Sequence, residues 1–256
     1  MNQQQTKTKA KKHDFSTFID NLIQRFEASP GTPLQINSLS HQSGVEKRRL
    51  YDLMNVLVAC GVCTRRDTHT FTWNGISSFH IAMQSISKDI EEKALIQKHP
   101  NKLFLLPDSP SIGLIAVTFI AIYLYLGVHT YNIRDAAFLM SNGEESSKPI
   151  LRRLYLVTFL LERIGILKHS QKIGEYSINE DIEAITQRTI TNMQREEKFS
   201  PDSIEFQLSR FGNNYMESLY SKRQGVISRC MGIKTYLNQN NELMYLNSYN
   251  MHGIDA

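Results

Sequence analysis

A four-residue sequence that occurs twice limits what this chain folds into. Residues 48–51 read Arg-Arg-Leu-Tyr, and the same four residues recur at 152–155, which is 104 positions further on. The other matches at this spacing, with one inserted residue before the last two, are Leu57 with Leu161, Gly61 with Gly165, Phe71 with Tyr176 and Trp73 with Ile178. Self-similarity at a fixed spacing indicates one structural unit that is used twice.

The hydrophobic pattern of the first unit predicts three helices and two strands. Apolar residues recur at steps of three and four from Phe15 to Phe26, which is the pattern of a helix with one buried face. A short second helix follows, then a third that stops at Gly61, and then two short strands around a polar turn. The predicted helices cover residues 15–26, 36–43 and 45–60, and the predicted strands cover 62–66 and 70–74. This order is typical of a winged-helix domain.

The repeat and this pattern together predict a mainly α fold with small β wings. Two winged-helix domains of the helix-turn-helix type are expected, joined by a helical linker. The predicted divisions are a disordered basic arm (1–13), a first winged-helix domain (14–75), a helical heptad linker (76–108), a second, divergent winged-helix domain (109–180) and a C-terminal helical region with an Asn-rich tail (181–256). Within the second domain and the C-terminal region, we expect helices at 114–126, 131–140, 181–195 and 204–219, a loop at 141–147 and the tail at 237–250.

Composition narrows the class of protein. The chain has 256 residues, of which 41% are hydrophobic and 21% charged, which is a globular balance rather than a disordered one. Three cysteines do not make a secreted disulfide framework, and the polar start lacks the apolar segment of a signal peptide, so an intracellular protein is expected. Residues 1–75 hold ten Lys and Arg against six Asp and Glu, which accounts for the excess of positive charge. This excess of positive charge is explained either by an anionic partner or by a charged face exposed to solvent.

The third helix of the first unit has two opposed faces. An apolar stripe that includes Leu50, Leu53 and Leu57 faces one way, and polar side chains face the other. Arginine pairs bidentately with guanine, asparagine with adenine, and tyrosine donates to phosphate, so the polar face suits DNA. The alternative is a solvated surface with an intrahelical pair between Arg48 and Asp52.

A family resemblance favours the interpretation that this polar face binds DNA. The stretch from Val45 to Leu57, followed by Gly61 and Trp73-Asn74-Gly75, resembles the DNA-binding domain of the E2 transcription factor and dimerisation partner (DP) family of cell-cycle regulators, whose signature is Arg-Arg-x-Tyr-Asp. The resemblance implies that the third helix enters the major groove and that two arginines read guanines in a G/C-rich promoter core. The predicted DNA-binding residues of this unit are Lys47, Arg48, Arg49, Tyr51, Asp52, Asn55, Arg65 and Arg66.

The second unit keeps only part of this surface. Arg152, Arg153 and Tyr155 are predicted to contact DNA, mainly through phosphate. Leu156 and Phe159 replace the carboxylate and the amide of the first unit, which predicts that they bind a protein partner. Atypical members of the family have two such domains in one chain, so the arrangement resembles a covalent version of the usual two-subunit dimer.

The predicted linker has a short heptad seam. Its residues are Ile76, Phe79, Met83, Ile86 and Ile90, spaced by three, four, three and four. The resemblance places a dimerisation coiled coil here, which implies a homodimer, a heterodimer with another family member or a larger complex. The alternative is a helix that packs on its own domains, since so short a seam is marginal alone.

Two further sequence features resemble functional motifs but lack the context that those motifs require. The uncharged stretch Ile112–Val128 has the minimum length of a membrane span, but two tyrosines interrupt it and no cluster of Lys or Arg flanks it. Cys60 and Cys63 have the spacing of a redox or zinc site but lack a second pair and the required strand-to-helix context. No cofactor, metal site or catalytic motif is predicted, and the chain is not expected to be an enzyme.

The sequence therefore predicts a nuclear, sequence-specific regulator of transcription that binds double-stranded DNA. The alternatives are a winged-helix scaffold subunit of a larger nuclear complex, without sequence-specific reading, and a membrane-tethered factor.

Overall fold

The first unit consists of three helices and a small sheet. In the computed structural model its elements are α1 (Phe15–Glu27), β1 (Pro33–Gln35), α2 (Ile36–Ser43), α3 (Lys47–Ala59), β2 (Cys63–Arg65) and β3 (Thr70–Trp73). β3 lies between β1 and β2 and is antiparallel to both, with Phe71 opposite both Leu34 and Arg65. The sheet thus has three strands where the sequence predicted two, because a three-residue strand is too short to show alternation.

The structure describes only part of the chain. The predicted basic arm at 1–13 lies outside the described residues. These are 15–97, 99–141, 144–195, 202–203, 207, 215–231, 234–237 and 243–246.

The second unit repeats the element order of the first. Its elements are α5 (Ile112–Leu126), β4 (Thr130–Asn132), α6 (Ile133–Leu139), α7 (Glu144–Arg163), β5 (Leu167–His169) and β6 (Glu175–Ile178). Its strand order, β4-β6-β5, corresponds to β1-β3-β2 of the first unit. The predicted loop at 141–147 is shorter than expected, because α7 begins at Glu144.

Capping groups set both ends of α5. The Ser111 hydroxyl accepts a hydrogen bond from the Leu114 amide at 3.1 Å, which satisfies one of the free N–H groups of the first turn. Gly127 ends the helix in the left-handed conformation, with φ of 63°. Eleven of the fifteen residues between these caps are buried in the core. Among the described residues, no helix is both long and apolar enough to cross a membrane.

The linker helix α4 (Phe79–Ile96) packs against α8 (Ile182–Arg195) of the same chain. Phe79, Met83, Ile86 and Ile90 of the heptad seam are each at most 6% exposed, and Ile76 is half-buried against the same core. The chain's own helices cover this seam, so a second chain would have to displace them to reach it, and the partner-binding role stays a prediction. The alternative prediction, a helix packed on its own domains, agrees with this burial.

The C-terminal region differs from its prediction. The predicted helix at 181–195 is α8. A further helix, α9 (Tyr215–Cys230), begins within the predicted 204–219 and extends beyond it, while 204–206 and 208–214 lie outside the described residues. β7 (Lys234–Leu237) and β8 (Leu243–Leu246) pair antiparallel where an Asn-rich tail was expected. Side chains from α8 and α9 satisfy the last carbonyls of α5: Thr186 donates to Leu124, Arg223 to Tyr125 and Gln224 to Leu126.

Helices of the two units contact each other at two places. α3 of the first unit lies against α5, and α7 of the second lies against α1. The buried side chains of both units belong to one continuous hydrophobic core. By the repeat, α1 corresponds to α5 and α3 to α7, so these are the same two surfaces used twice, as in a two-fold symmetric interface.

Candidate nucleic-acid interface

Three cations occupy the first turn of α3. Lys47, Arg48 and Arg49 are exposed, while Leu50 and Leu53 hold the opposite side of the helix in the core at 1% and 0% exposure. The positive end of the helix dipole lies in this same turn, which contains no acidic residue. Positive side chains at that end are unfavourable for the isolated helix. An anion bound here would relieve this repulsion.

The two guanidinium groups are available for a ligand. Within the part of the chain that the structure describes, Arg48 and Arg49 have no side-chain hydrogen bond and no ion pair. The alternative of an Arg48–Asp52 pair is therefore not formed between these two described residues. Asp52 is half-buried on the same helix.

Tyr51 is bound to the polar turn between β2 and β3. Its hydroxyl is hydrogen-bonded to Nδ1 of His69, and the two ring centroids are 6.2 Å apart. One Asp67 carboxylate oxygen accepts the backbone N–H groups of His69 and Thr70 at 2.7 and 2.9 Å. These bonds favour the charged carboxylate and hold the pKa of Asp67 below its ordinary value, the bond from the His69 amide being the largest cause.

Asn55 is bound to β2. Nη2 of Arg65 donates to Oδ1 of Asn55 at 2.5 Å, and the guanidinium of Arg65 lies 5.2 Å from the centroid of the Phe71 ring. Arg66, one residue further along, donates from Nε to the Thr72 hydroxyl at 2.9 Å. Of the predicted DNA-binding residues of this unit, Tyr51, Asn55, Arg65 and Arg66 therefore already have partners within the protein.

The sequence of this unit has a family match. Residues 12–75 match the model of the winged-helix DNA-binding domain of the E2 transcription factor/DP family. The first unit is a DNA-binding domain of this family.

Relatives named as transcription factors of this family match parts of the chain. The transcription factor-like protein E2FE of Arabidopsis thaliana is 37% identical over 54 residues, which are 21% of this chain and 13% of the relative. E2FF of the same plant is 22% identical over 79 residues, 31% of this chain and 22% of the relative. The zebrafish (Danio rerio) transcription factor E2F7 is 24% identical over 56% of this chain and 23% of its own length. The chain thus spans less than a quarter of each of these relatives.

The arginine pair of the second unit is only partly exposed. Arg152 is exposed and Tyr155 is 48% exposed, so both remain accessible on α7. Arg153 is half-buried, and its Nη1 donates to the carbonyl oxygen of Pro110. This bond fastens α7 to the segment that precedes α5, and the role of Arg153 in DNA binding stays a prediction.

Two apolar residues of α7 pack within this chain, and one of them contacts α1. Leu156 and Phe159 are half-buried against the core, and the Phe159 ring stacks on Phe15 with centroids 6.3 Å apart. Next to them Arg163 pairs with Asp20 at 3.4 Å. Part of each of these two side chains is thus covered within the chain, and their predicted binding of another protein stays a prediction for the part that is exposed.

Sequence reasoning missed the wing residues Asp67 and His69. Asp67 had a usable signal, because an aspartate that accepts amides two and three residues later is a common turn element. His69 had none, since its contact with Tyr51 depends on a turn that brings together residues 18 positions apart.

Proposed function

We propose that this chain is a nuclear regulator of transcription that binds double-stranded DNA and reads a G/C-rich site through α3. The observation that carries the proposal is the first turn of α3, with three exposed cations and two guanidinium groups that lack partners among the described residues. A guanidinium fork pairs bidentately with O6 and N7 of guanine in the major groove, which an α-helix can enter. Arg48 and Arg49 are the proposed base-reading residues.

The second unit is proposed to be a divergent winged-helix domain that supports the first. Its element order and strand order support this assignment, and exposed Arg152 and Tyr155 would contact phosphate rather than bases. Because the linker seam and Phe159 are packed within the chain, we propose that one chain supplies both units of a DNA complex. A second chain is not needed to cover these surfaces.

A gel-shift experiment tests the proposed function. A duplex with a G/C core, chosen by unbiased binding-site selection, is compared with a duplex of the same composition in scrambled order. We expect binding to the selected duplex to be at least about a thousandfold tighter at the same salt concentration, within the range of specific DNA-binding proteins. Equal binding to both duplexes, or an empty selection, would instead favour the scaffold function.

A further inference from the structure

Two side-chain hydrogen bonds fasten α3 to the wing. The wing is defined here as β2, β3 and the turn between them, residues 63–73. The first bond joins Tyr51 to His69 in the turn, and the second joins Asn55 to Arg65 on β2. Tyr51 and Asn55 are four residues apart, and so lie one above the other on the wing side of α3.

We propose that His69 and Arg65 are positioning residues for DNA reading, and that Tyr51 and Asn55 brace the wing instead of contacting bases. This rests on the proposed function of α3 as a base-reading helix. In this arrangement the wing sets the roll of α3 about its axis, and that roll determines where the forks of Arg48 and Arg49 point. Sequence selectivity then depends on a histidine that itself touches no base.

Each of these two bonds engages an atom that a contact with DNA would need. A bidentate contact with adenine uses the amide oxygen of asparagine, and Arg65 already donates to that oxygen of Asn55. With the His69 proton on Nε2, Nδ1 accepts the hydroxyl proton of Tyr51, which is then directed away from phosphate.

The position of His69 is fixed before DNA binds. Its backbone N–H is held by the Asp67 carboxylate at 2.7 Å. Its backbone carbonyl accepts the N–H of Ile36, the first residue of α2, at 3.0 Å. The imidazole is therefore presented from a turn anchored on both sides, which is what a positioning residue requires.

The second unit lacks every member of the brace except the tyrosine. In the repeat, Phe159 stands at the position of Asn55, and His169 stands at that of Arg65, since it pairs with Tyr176 as Arg65 pairs with Phe71. Gly174 stands at the position of His69. Tyr155 is left 48% exposed. The brace thus occurs only in the unit proposed to read bases.

A double-mutant cycle on DNA affinity tests the inference. The 256-residue chain is compared with its variants Tyr51→Phe, His69→Ala and the double variant, on the selected G/C-core duplex and on the scrambled duplex. We expect each single variant to lose roughly three- to tenfold in affinity for the selected duplex, the size of one hydrogen bond, and the double variant to lose no more than the worse single one. Affinity for the scrambled duplex should change by less than about twofold, because the phosphate contacts remain.

Two further variants separate positioning from simple stability. His69→Asn places an amide oxygen near the position of Nδ1, and is expected to restore selectivity to within about twofold of the wild type. His41→Ala removes an exposed histidine of α2 and should have no effect. Losses that multiply in the double variant, or no loss with His69→Ala, overturn the inference while the proposed function stands. A wild-type chain without preference for the selected duplex overturns the proposed function itself.

Discussion

A Cβ atom added to Gly113 would lie 2.8 Å from the backbone carbonyl oxygen of Asn55. It would also lie 3.2 Å from Cβ of Ala59, so the N-terminal turn of α5 rests directly on the C-terminal half of α3. This close approach joins the two units at α3. A glycine is needed here for space, since its helical backbone conformation suits any residue.

Replacing this glycine tests the helix crossing. We expect Gly113→Ala to lower the free energy of unfolding by about 1–3 kcal/mol, since the neighbouring atom is backbone and cannot turn aside. Urea unfolding monitored by circular dichroism measures the change. Gly225→Ala in α9 is the matched control, because its Cβ would find no atom closer than 3.9 Å. It should raise stability by up to about 1 kcal/mol through helix propensity. Equal behaviour of the two variants would contradict the close crossing.

The buried ion pair between Glu91 and Arg223 ties the linker helix to α9. Two hydrogen bonds of 2.6 and 2.7 Å join the groups, which are 2% and 6% exposed. We expect Glu91→Gln to destabilise the chain by about 3–5 kcal/mol, because the guanidinium is left buried without its counter-charge. Chemical denaturation measures this loss.

A surface pair provides the comparison for this prediction. Glu180 lies 3.3 Å from His80, and the two side chains are 27% and 50% exposed. Glu180→Gln should therefore cost less than about 1 kcal/mol. Replacing both buried partners, as Glu91→Leu with Arg223→Met, should recover much of the loss. A double variant as unstable as Glu91→Gln would show that the unpaired charge is not the cause.

The sequence predicted the elements with long hydrophobic periods and missed the short ones. α1, α2 and α3 fall within a residue or two of their predicted bounds, because each presents an apolar face to the core at helical spacing. β1 and β4 have three residues each, too few for a period. The heptad seam of α4 could be recognised in the sequence, but the helix that packs against it could not. α8 lies about a hundred residues away, and a heptad pattern does not indicate which helix it contacts.

The candidate site was predictable to the same extent. The exposure of Arg48 follows from its place opposite the apolar stripe of α3, and that of Arg49 is consistent with its place on the flank of this stripe. The partners of Tyr51 and Asn55 do not follow, because they depend on the register of β2 with β3 and on the shape of the turn. Burial of the apolar residues of α7 likewise depends on where α1 of the other unit lies.

The two cysteines with redox-like spacing should be inert. Burial raises the pKa of the Cys60 and Cys63 thiols to about 12, while Cys230 is exposed. At a pH of about 8 both buried thiols remain protonated, and the thiolate is the reactive form. We expect one fast-reacting thiol with Ellman's reagent in the native protein, none in Cys230→Ser, and three in denaturant. Rapid labelling of three native thiols would contradict this burial.

The wing turn should loosen in acid. The Asp67 carboxylate has a pKa below its ordinary value of 3.8, so its stabilising effect is fully present above that value and is lost as the pH falls through the lowered pKa. In an NMR titration, the amide resonances of His69 and Thr70 should shift together with a midpoint below 3.8. Asp67→Asn should abolish this transition. A midpoint at or above the ordinary value would show that the turn does not favour the charged carboxylate.

The arginines of α3 should control selectivity more than overall affinity. We expect Arg48→Ala or Arg49→Ala to cost about 1–3 kcal/mol on the selected G/C-core duplex and much less on the scrambled one, since a bidentate contact with guanine is lost. Lys47→Ala removes a charge from the same turn, and should weaken both duplexes by similar factors and reduce the salt dependence. Arg25→Ala, on the exposed side of α1, is the control for loss of an arginine elsewhere in the unit. Equal losses on both duplexes for Arg48→Ala and Arg49→Ala would mean that these arginines contact phosphate, because only a contact with base edges distinguishes the two sequences.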